Sequence, residues 1–147
     1  MKTLVIIPSR LSATRLPGKP LLKINGLSII SHVYKRAENA NIGEVIVAAE
    51  DKEIVDDVKT NGGNAILTSK KHKTGTDRIY EALKILDRND VDLIMNIQGD
   101  EPEIDIEDIK KLDNNMKNNK KAKIGTLAVK ISDIRMYKNQ NVVKVKI

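Results

Sequence analysis

Short apolar runs alternate along this chain with stretches of helical spacing. Thr3 to Pro8 sets Leu4, Val5, Ile6 and Ile7 in succession, which predicts a strand buried on both faces and closed by proline. Ser28 to Ala40 predicts a helix, with Ser28 as its cap and Ile29, Val33 and Ala37 at helical spacing. Glu44 to Ala49 reads as a second strand. Asp51 to Asn61 reads as a short helix, capped by Asp51 and stopped by Gly62-Gly63. Ala65 to Leu67 is a brief third strand. Thr76 to Leu86 is a helix with Ile79, Leu83 and Leu86 on one face and Thr76 or Asp77 as its cap. Asp92 to Ile97 predicts a fourth strand, Ile106 to Met116 a helix, and Ile124 to Ile131 another strand. Asn141 to Ile147 alternates like a half-exposed strand and ends with the chain, which suggests a truncated protein.

This alternation implies an α/β fold, a mostly parallel sheet with helices on both faces, in one domain over residues 1–147. Asn114 to Lys123 is the one low-complexity stretch and reads as a surface loop. Ligands of such sheets bind beyond the carboxyl ends of the strands. That rule picks out three loops: Ser9 to Lys19, Thr68 to Asp77, and Gln98 to Pro102.

Composition narrows the class. With 147 residues, 40% hydrophobic and 31% charged, the chain is long enough for a genuine core. No apolar run approaches the ~20 residues that span a bilayer. Leu4 to Ile7 is too short for a signal-peptide core, so a cytoplasmic protein with no membrane partner is expected. The absence of cysteine excludes disulfides and thiolate metal sites. The net charge of +6 resides in lysine-rich, surface-like stretches, and the only aromatics are three tyrosines. No nucleic-acid partner is expected, since no stacking platform exists.

The first loop, Pro8-Ser9-Arg10-Leu11-Ser12-Ala13-Thr14-Arg15-Leu16-Pro17-Gly18-Lys19, holds three cations and no acid. Arginine presents a planar fork to phosphate oxygens and lysine a point charge. The loop is neither a dinucleotide fingerprint nor a Walker P-loop, because Gly18-Lys19 is followed by proline. In the second loop, Gly75 and the following helix terminus could face an anion or a base edge. His72 reads as a polar loop residue, and His32 has no assigned chemistry. In the third loop, Asp100 follows a buried strand and suits magnesium better than Glu101 does. Magnesium takes few protein oxygens besides substrate phosphates.

Ile7-Pro8-Ser9-Arg10, Thr14 to Leu21, Gly75-Thr76-Asp77-Arg78 and Asn96 to Pro102, in that order, resemble the 3-deoxy-manno-octulosonate cytidylyltransferase family. His32-Val33-Tyr34 and Asn141 to Val145 add weaker agreement. The resemblance implies a nucleotide-diphospho-sugar transferase type of Rossmann-like fold. It implies transfer of CMP from CTP to 3-deoxy-D-manno-octulosonate, with release of pyrophosphate, for lipopolysaccharide synthesis. On the matching positions, Arg10, Arg15 and Lys19 hold the triphosphate. Pro8, Ser9, Ser69, Thr74, Gly75, Thr76 and Asp77 line the cytidine site. Gln98 lies near the nucleotide or sugar, and Asp100 binds Mg2+. The catalytic load falls on Lys19, Arg10 and Asp100.

Some positions depart from the family pattern. The family usually carries alanine at position 9 and often an aromatic at position 11, where Ser9 and Leu11 stand here, and Lys70-Lys71 also depart from it. The family is homodimeric, and its chains continue past Val145 into a half with the sugar pocket, a second metal-binding aspartate and most of the dimer surface. Activity of these 147 residues alone is therefore not expected. Alternative readings are a cytidylyltransferase for sialic acid or an 8-amino octulosonate, and a non-catalytic nucleotide-binding module.

Overall fold

The computed structural model describes residues 1–12 and 16–145. Strand β1 (Thr3–Ser9) runs through the middle of the molecule. A 3-10 turn (Lys19–Leu21) and a small hairpin of β2 (Lys23–Ile24) and β3 (Leu27–Ser28) lead into α1 (Ile29–Asn39). Then follow β4 (Gly43–Ala49), α2 (Lys52–Thr60), β5 (Ala65–Leu67), α3 (Gly75–Leu86), β6 (Leu93–Asn96), α4 (Ile106–Asn118) and α5 (Ile134–Lys138).

The main sheet has the order β5-β4-β1-β6 and is parallel throughout. The chain winds outward from β1 through β4 to β5, then crosses to the other side of β1 to lay down β6. That reversal opens a crevice between the carboxyl ends of β1 and β6.

The period of two along β1 divides the core between the two faces of the sheet. Val5 and Ile7 pack with Ile30, Val33 and Ala37 of α1, Ile54 and Val58 of α2, and Ile109 of α4. Leu4 and Ile6 pack on the opposite face with Ile46, Ala48 and, from α3, Ile79 and Ala82. All four residues Leu4 to Ile7 are 0% exposed, as a strand covered on both faces requires.

Side-chain caps fix the helix starts. Ser28 Oγ accepts from Ser31 N at 3.2 Å and donates to Asp57 Oδ2 at 2.5 Å, so the start of α1 is tied to α2. Thr3 Oγ1 donates to Asp113 Oδ1 at 2.5 Å and thereby ties α4 to the beginning of β1. Helix α3 is capped by Thr74, whose Oγ1 accepts from Asp77 N at 3.1 Å. Thr76 and Asp77, the caps expected from sequence, lie inside the first turn because the helix begins one residue earlier. Asp51 occupies the cap position of α2 but makes no side-chain cap bond, because its carboxylate is directed elsewhere.

Two expected strands are absent. Residues 124–131 and, within the described part of the last segment, 141–145 join no ladder. Their alternation is real, but a strand needs a neighbouring backbone to satisfy its N–H and C=O groups, and no described segment lies alongside. Ile124 is 89% exposed and Val143 96% exposed, so their side chains have no face to cover. The hairpin and α5 were not foreseen.

This distribution of packing predicts a contrast. Ile30→Ala, at a 0% exposed position, should cost about 2–5 kcal/mol in urea unfolding. Ile124→Ala should stay within about 0.5 kcal/mol of the parent. A large loss at Ile124 would show that residues 124–131 are packed in solution.

Candidate functional site

The crevice between β1 and β6 contains a cavity of about 300 Å³. Its lining comes from all three loops that the strand-end rule selects. Pro8, Ser9, Arg10, Lys19 and Pro20 come from the first, Lys73 and Gly75 with Arg78 from the second, and Gln98, Gly99 and Asp100 from the third. Two glycines allow these loops to converge on Pro8. A Cβ on Gly99 would come within 3.0 Å of the Pro8 carbonyl oxygen and 3.2 Å of Ile30 Cδ1. A Cβ on Gly75 would sit 3.1 Å from Pro8 Cγ. Side chains at either position would push the loops apart.

Four cations line the cavity, Arg10, Lys19, Lys73 and Arg78, against one carboxylate, Asp100. Lys19 Nζ donates to Asp100 Oδ2 at 3.0 Å. The 3-10 turn that positions Lys19 is closed by Leu22 N donating to Lys19 O at 3.1 Å, and Gly18 N donates to Leu11 O at 2.9 Å, closing the base of the loop. Arg78 is neutralised by the buried Glu50, and the surplus of Arg10, Lys19 and Lys73 over Asp100 makes the cavity a seat for a polyanion. Ser9 lies at the end of β1 and is 6% exposed, and its Oγ has no hydrogen-bond partner among the described residues. A buried hydroxyl in that state is an unused donor and acceptor on the cavity wall.

The second loop is held from beneath. Ser69 N donates to Glu81 Oε2 at 2.8 Å, and His72 Nε2 lies 2.5 Å from the same oxygen. The Ser69 amide above all draws the Glu81 carboxyl below its ordinary range; burial opposes it, and the His72 contact adds to the lowering. Arg78 reaches back from α3 to the Thr68 hydroxyl at 2.6 Å and the Ser69 carbonyl at 3.1 Å.

The site residues expected from sequence therefore divide into groups. Pro8, Ser9, Arg10, Lys19, Gly75, Gln98 and Asp100 meet around one cavity. Ser69, Thr74, Thr76 and Asp77 are not among its lining residues. Thr74 and Asp77 are engaged in a reciprocal cap, with Thr74 Oγ1 donating to Asp77 Oδ2 at 2.7 Å. Ser69 Oγ accepts from Lys71 N at 3.1 Å. Arg15 lies outside the described residues. Glu101 faces a second cavity, of about 840 Å³, bordered by His32 and Arg36 of α1, and Asp100 borders both cavities. Lys73 and Arg78 were not assigned a role from sequence. Arg78 had a detectable signal, since it is a charged residue beside Ile79 and Ala82 on the apolar stripe of its helix.

Replacing the unpartnered Ser9 hydroxyl should stabilise the ligand-free chain. Ser9→Ala removes a polar group that is buried without a bond, and urea unfolding should show a gain of about 1–3 kcal/mol. A loss of stability would mean that the hydroxyl is satisfied in solution.

The site can now be set beside known proteins. The family model described as "Cytidylyltransferase" matches residues 4–147. A 3-deoxy-manno-octulosonate cytidylyltransferase of Fusobacterium nucleatum is 48% identical over 145 residues, which is 99% of this chain and 58% of that relative. One from Pseudoalteromonas atlantica is 42% identical over 141 residues, 96% of this chain and 56% of that relative. Among solved structures, CMP:2-keto-3-deoxy-manno-octonic acid synthetase complexed with CTP matches with a TM-score of 0.76 at 40% identity, covering 82% of this chain and 49% of that one. A nucleotidyl transferase from Methanothermobacter, 17% identical with a TM-score of 0.63, shares the fold. The chain spans somewhat more than half the length of the curated relatives it matches. Because the family model matches residues 4–147 and the parallel sheet superposes on a solved relative at 40% identity, the chain belongs to the cytidylyltransferase family.

Proposed function

We propose that this chain carries the CTP-binding half of a cytidylyltransferase that transfers CMP to 3-deoxy-D-manno-octulosonate and releases pyrophosphate. The observation that carries the reading is the Lys19–Asp100 pair inside a cation-lined cavity at the point where the strand order reverses. The relatives named for this reaction, at 42–48% identity, support the choice of base and sugar.

In this reading Arg10, Lys19 and Lys73 bind the triphosphate, and Arg15 is assigned the same role from the family resemblance. Pro8, Ser9 and the Gly75 end of α3 face the nucleoside, with backbone N–H groups of the first helical turn available to it. Ser69, Thr74, Thr76 and Asp77 shape that wall by holding the loop and its cap. Gln98 lies between the nucleotide and the incoming sugar. The residues fit a magnesium ion: one carboxylate, Asp100, already faces a cation, and magnesium completes its shell mainly with phosphate oxygens and water. When bound, the metal neutralises charge on the phosphates. The sugar's anomeric oxygen forms a bond to the α-phosphorus as the bond to pyrophosphate breaks, and the hydroxyl proton leaves to solvent. Arg10 and Lys19 orient the triphosphate in line and offset charge on the departing pyrophosphate.

Asp100 is the only carboxylate lining the cavity among the described residues. The chain by itself, spanning somewhat more than half of the relatives named for the reaction, is read as a CTP binder without sugar turnover. Pyrophosphate release with CTP, magnesium and the octulosonate at about 1 s⁻¹ or faster would overturn that part of the reading.

Calorimetric titration with CTP tests the site. Lys19→Ala should weaken CTP binding by roughly 10- to 100-fold, as expected for one charged hydrogen bond. Asp100→Asn should abolish the gain in affinity that magnesium provides. In metal-free buffer it should not weaken binding, since Lys19 is then released toward the phosphates. Unchanged affinity in Lys19→Ala, or an intact magnesium effect in Asp100→Asn, would reject these roles.

A further inference from the structure

A fourth strand end, that of β4, lies behind the crevice lining and has no role in the reading above. Glu50 and Asp51 follow directly on β4, the neighbour of β1. Glu50 is 7% exposed and Arg78 is 3% exposed, and Glu50 Oε2 accepts from Arg78 Nη2. The other oxygen of Glu50 accepts from Ser12 Oγ at 2.9 Å. Asp51 Oδ2 accepts from Leu11 N at 2.8 Å. One short segment therefore holds the phosphate-facing loop through Leu11 and Ser12. Through Arg78 it also holds the Thr68–Ser69 end of the second loop.

We infer that Glu50 is a positioning residue for nucleotide binding. Its two carboxylate oxygens set the spacing between the loop that carries Arg10 and Lys19 and the loop that carries Lys73 and Gly75. The inference rests on the proposed CTP site but concerns how that site is held open at a fixed width. A buried guanidinium needs a counter-charge, and one carboxylate oxygen satisfies it. The second oxygen is directed at the hydroxyl of Ser12, an exposed loop residue that contributes little to the core. A counter-ion with a purely structural role would not need that bond. Arg78 also lines the cavity, so the neutralised part of its guanidinium faces Glu50 while the helix that bears it borders the nucleotide.

Two variants separate this role from simple stability. Ser12→Ala cuts the tether and leaves the Glu50–Arg78 pair intact. Glu50→Gln keeps the shape of the side chain and removes its charge. Amide hydrogen exchange on the ligand-free chain reads the loops directly, and CTP titration reads the site. Ser12→Ala should leave the urea midpoint unchanged, speed exchange at the Leu11 amide roughly three- to tenfold, and weaken CTP binding by a similar factor. Glu50→Gln should speed exchange at both Leu11 and Ser69, and Glu50→Asp should restore Ser69 more than Leu11 because its shorter arm keeps the charge. Wild-type exchange at Leu11 in Ser12→Ala would overturn the inference even if Glu50→Gln fails to fold. Faster exchange with unchanged CTP affinity would overturn it as well, by making the network purely structural. If the parent chain binds no CTP, the functional reading falls, and wild-type exchange at Leu11 in Ser12→Ala still decides whether Glu50 spaces the loops.

Discussion

Strand β1 is constrained on four sides, and the rest of the molecule is arranged around that constraint. It hydrogen-bonds to β4 along one edge and to β6 along the other, and each face is covered by helices. No other strand in the sheet has partners of both kinds along so much of its length. Ser9 and Pro8 are therefore held by backbone pairing and by core packing at once. The crevice opens beside that fixed end, so the groups that line it inherit its position. Pro8 acts as the reference against which Gly75 and Gly99 bring in the other two loops.

Fixing a site in this way leaves polar groups in positions that folding alone would not favour. Among the described residues Ser9 Oγ is buried without a partner, Glu50 and Arg78 are buried as an ion pair, and Lys19 is paired with the carboxylate proposed to hold the metal. The Ser9 hydroxyl leaves a bond unmade and the Glu50–Arg78 pair costs desolvation, while the Lys19–Asp100 pair stays exposed to solvent. Ser9, Arg78, Lys19 and Asp100 line one crevice, with Glu50 bonded to Arg78 behind it, while the surrounding core is aliphatic and well covered. Such a concentration is what a binding site for a highly charged ligand requires. Its donors and charges are set in place beforehand, and the ligand is not asked to order them.

The fold was largely legible in the chain because its inner elements carry strong local signals. Four consecutive aliphatic residues in β1, the Ser28 cap of α1 and the glycines after α2 each specify one structure. The failures share a cause. Residues 124–131 alternate as a strand does, but alternation reports which face a side chain would take and says nothing of whether a partner strand exists. Arg10, Lys19 and Asp100, which the coincidence of residue type and strand end picks out, do meet around one cavity. Other contacts run through a neighbour and leave no such signal. Thr74 and Asp77, expected in the cytidine site, are joined by a cap and do not line that cavity. Glu50 and Asp51 follow a strand end as clearly as Gln98 to Pro102 do, and applying the strand-end rule to β4 would have found them.

The packing also separates two parts of the chain. Among the described residues every one lining the crevice precedes residue 101, and the core that supports it is completed by Ile109 of α4. Beyond α4, Ile124, Val129, Ile134, Tyr137 and Val143 are all exposed and add nothing to that core. The larger neighbouring cavity, reached from Asp100 and bordered by His32, Arg36 and Glu101, lies open on the far side of the proposed metal carboxylate. Asp100 is thus the one carboxylate that faces both the cation-rich crevice and this open space. A carboxylate in that position could serve two bound groups at once, one from each side. Among the described residues the cation-rich side is lined by the first hundred residues, with the Lys19 ammonium already on the Asp100 carboxylate.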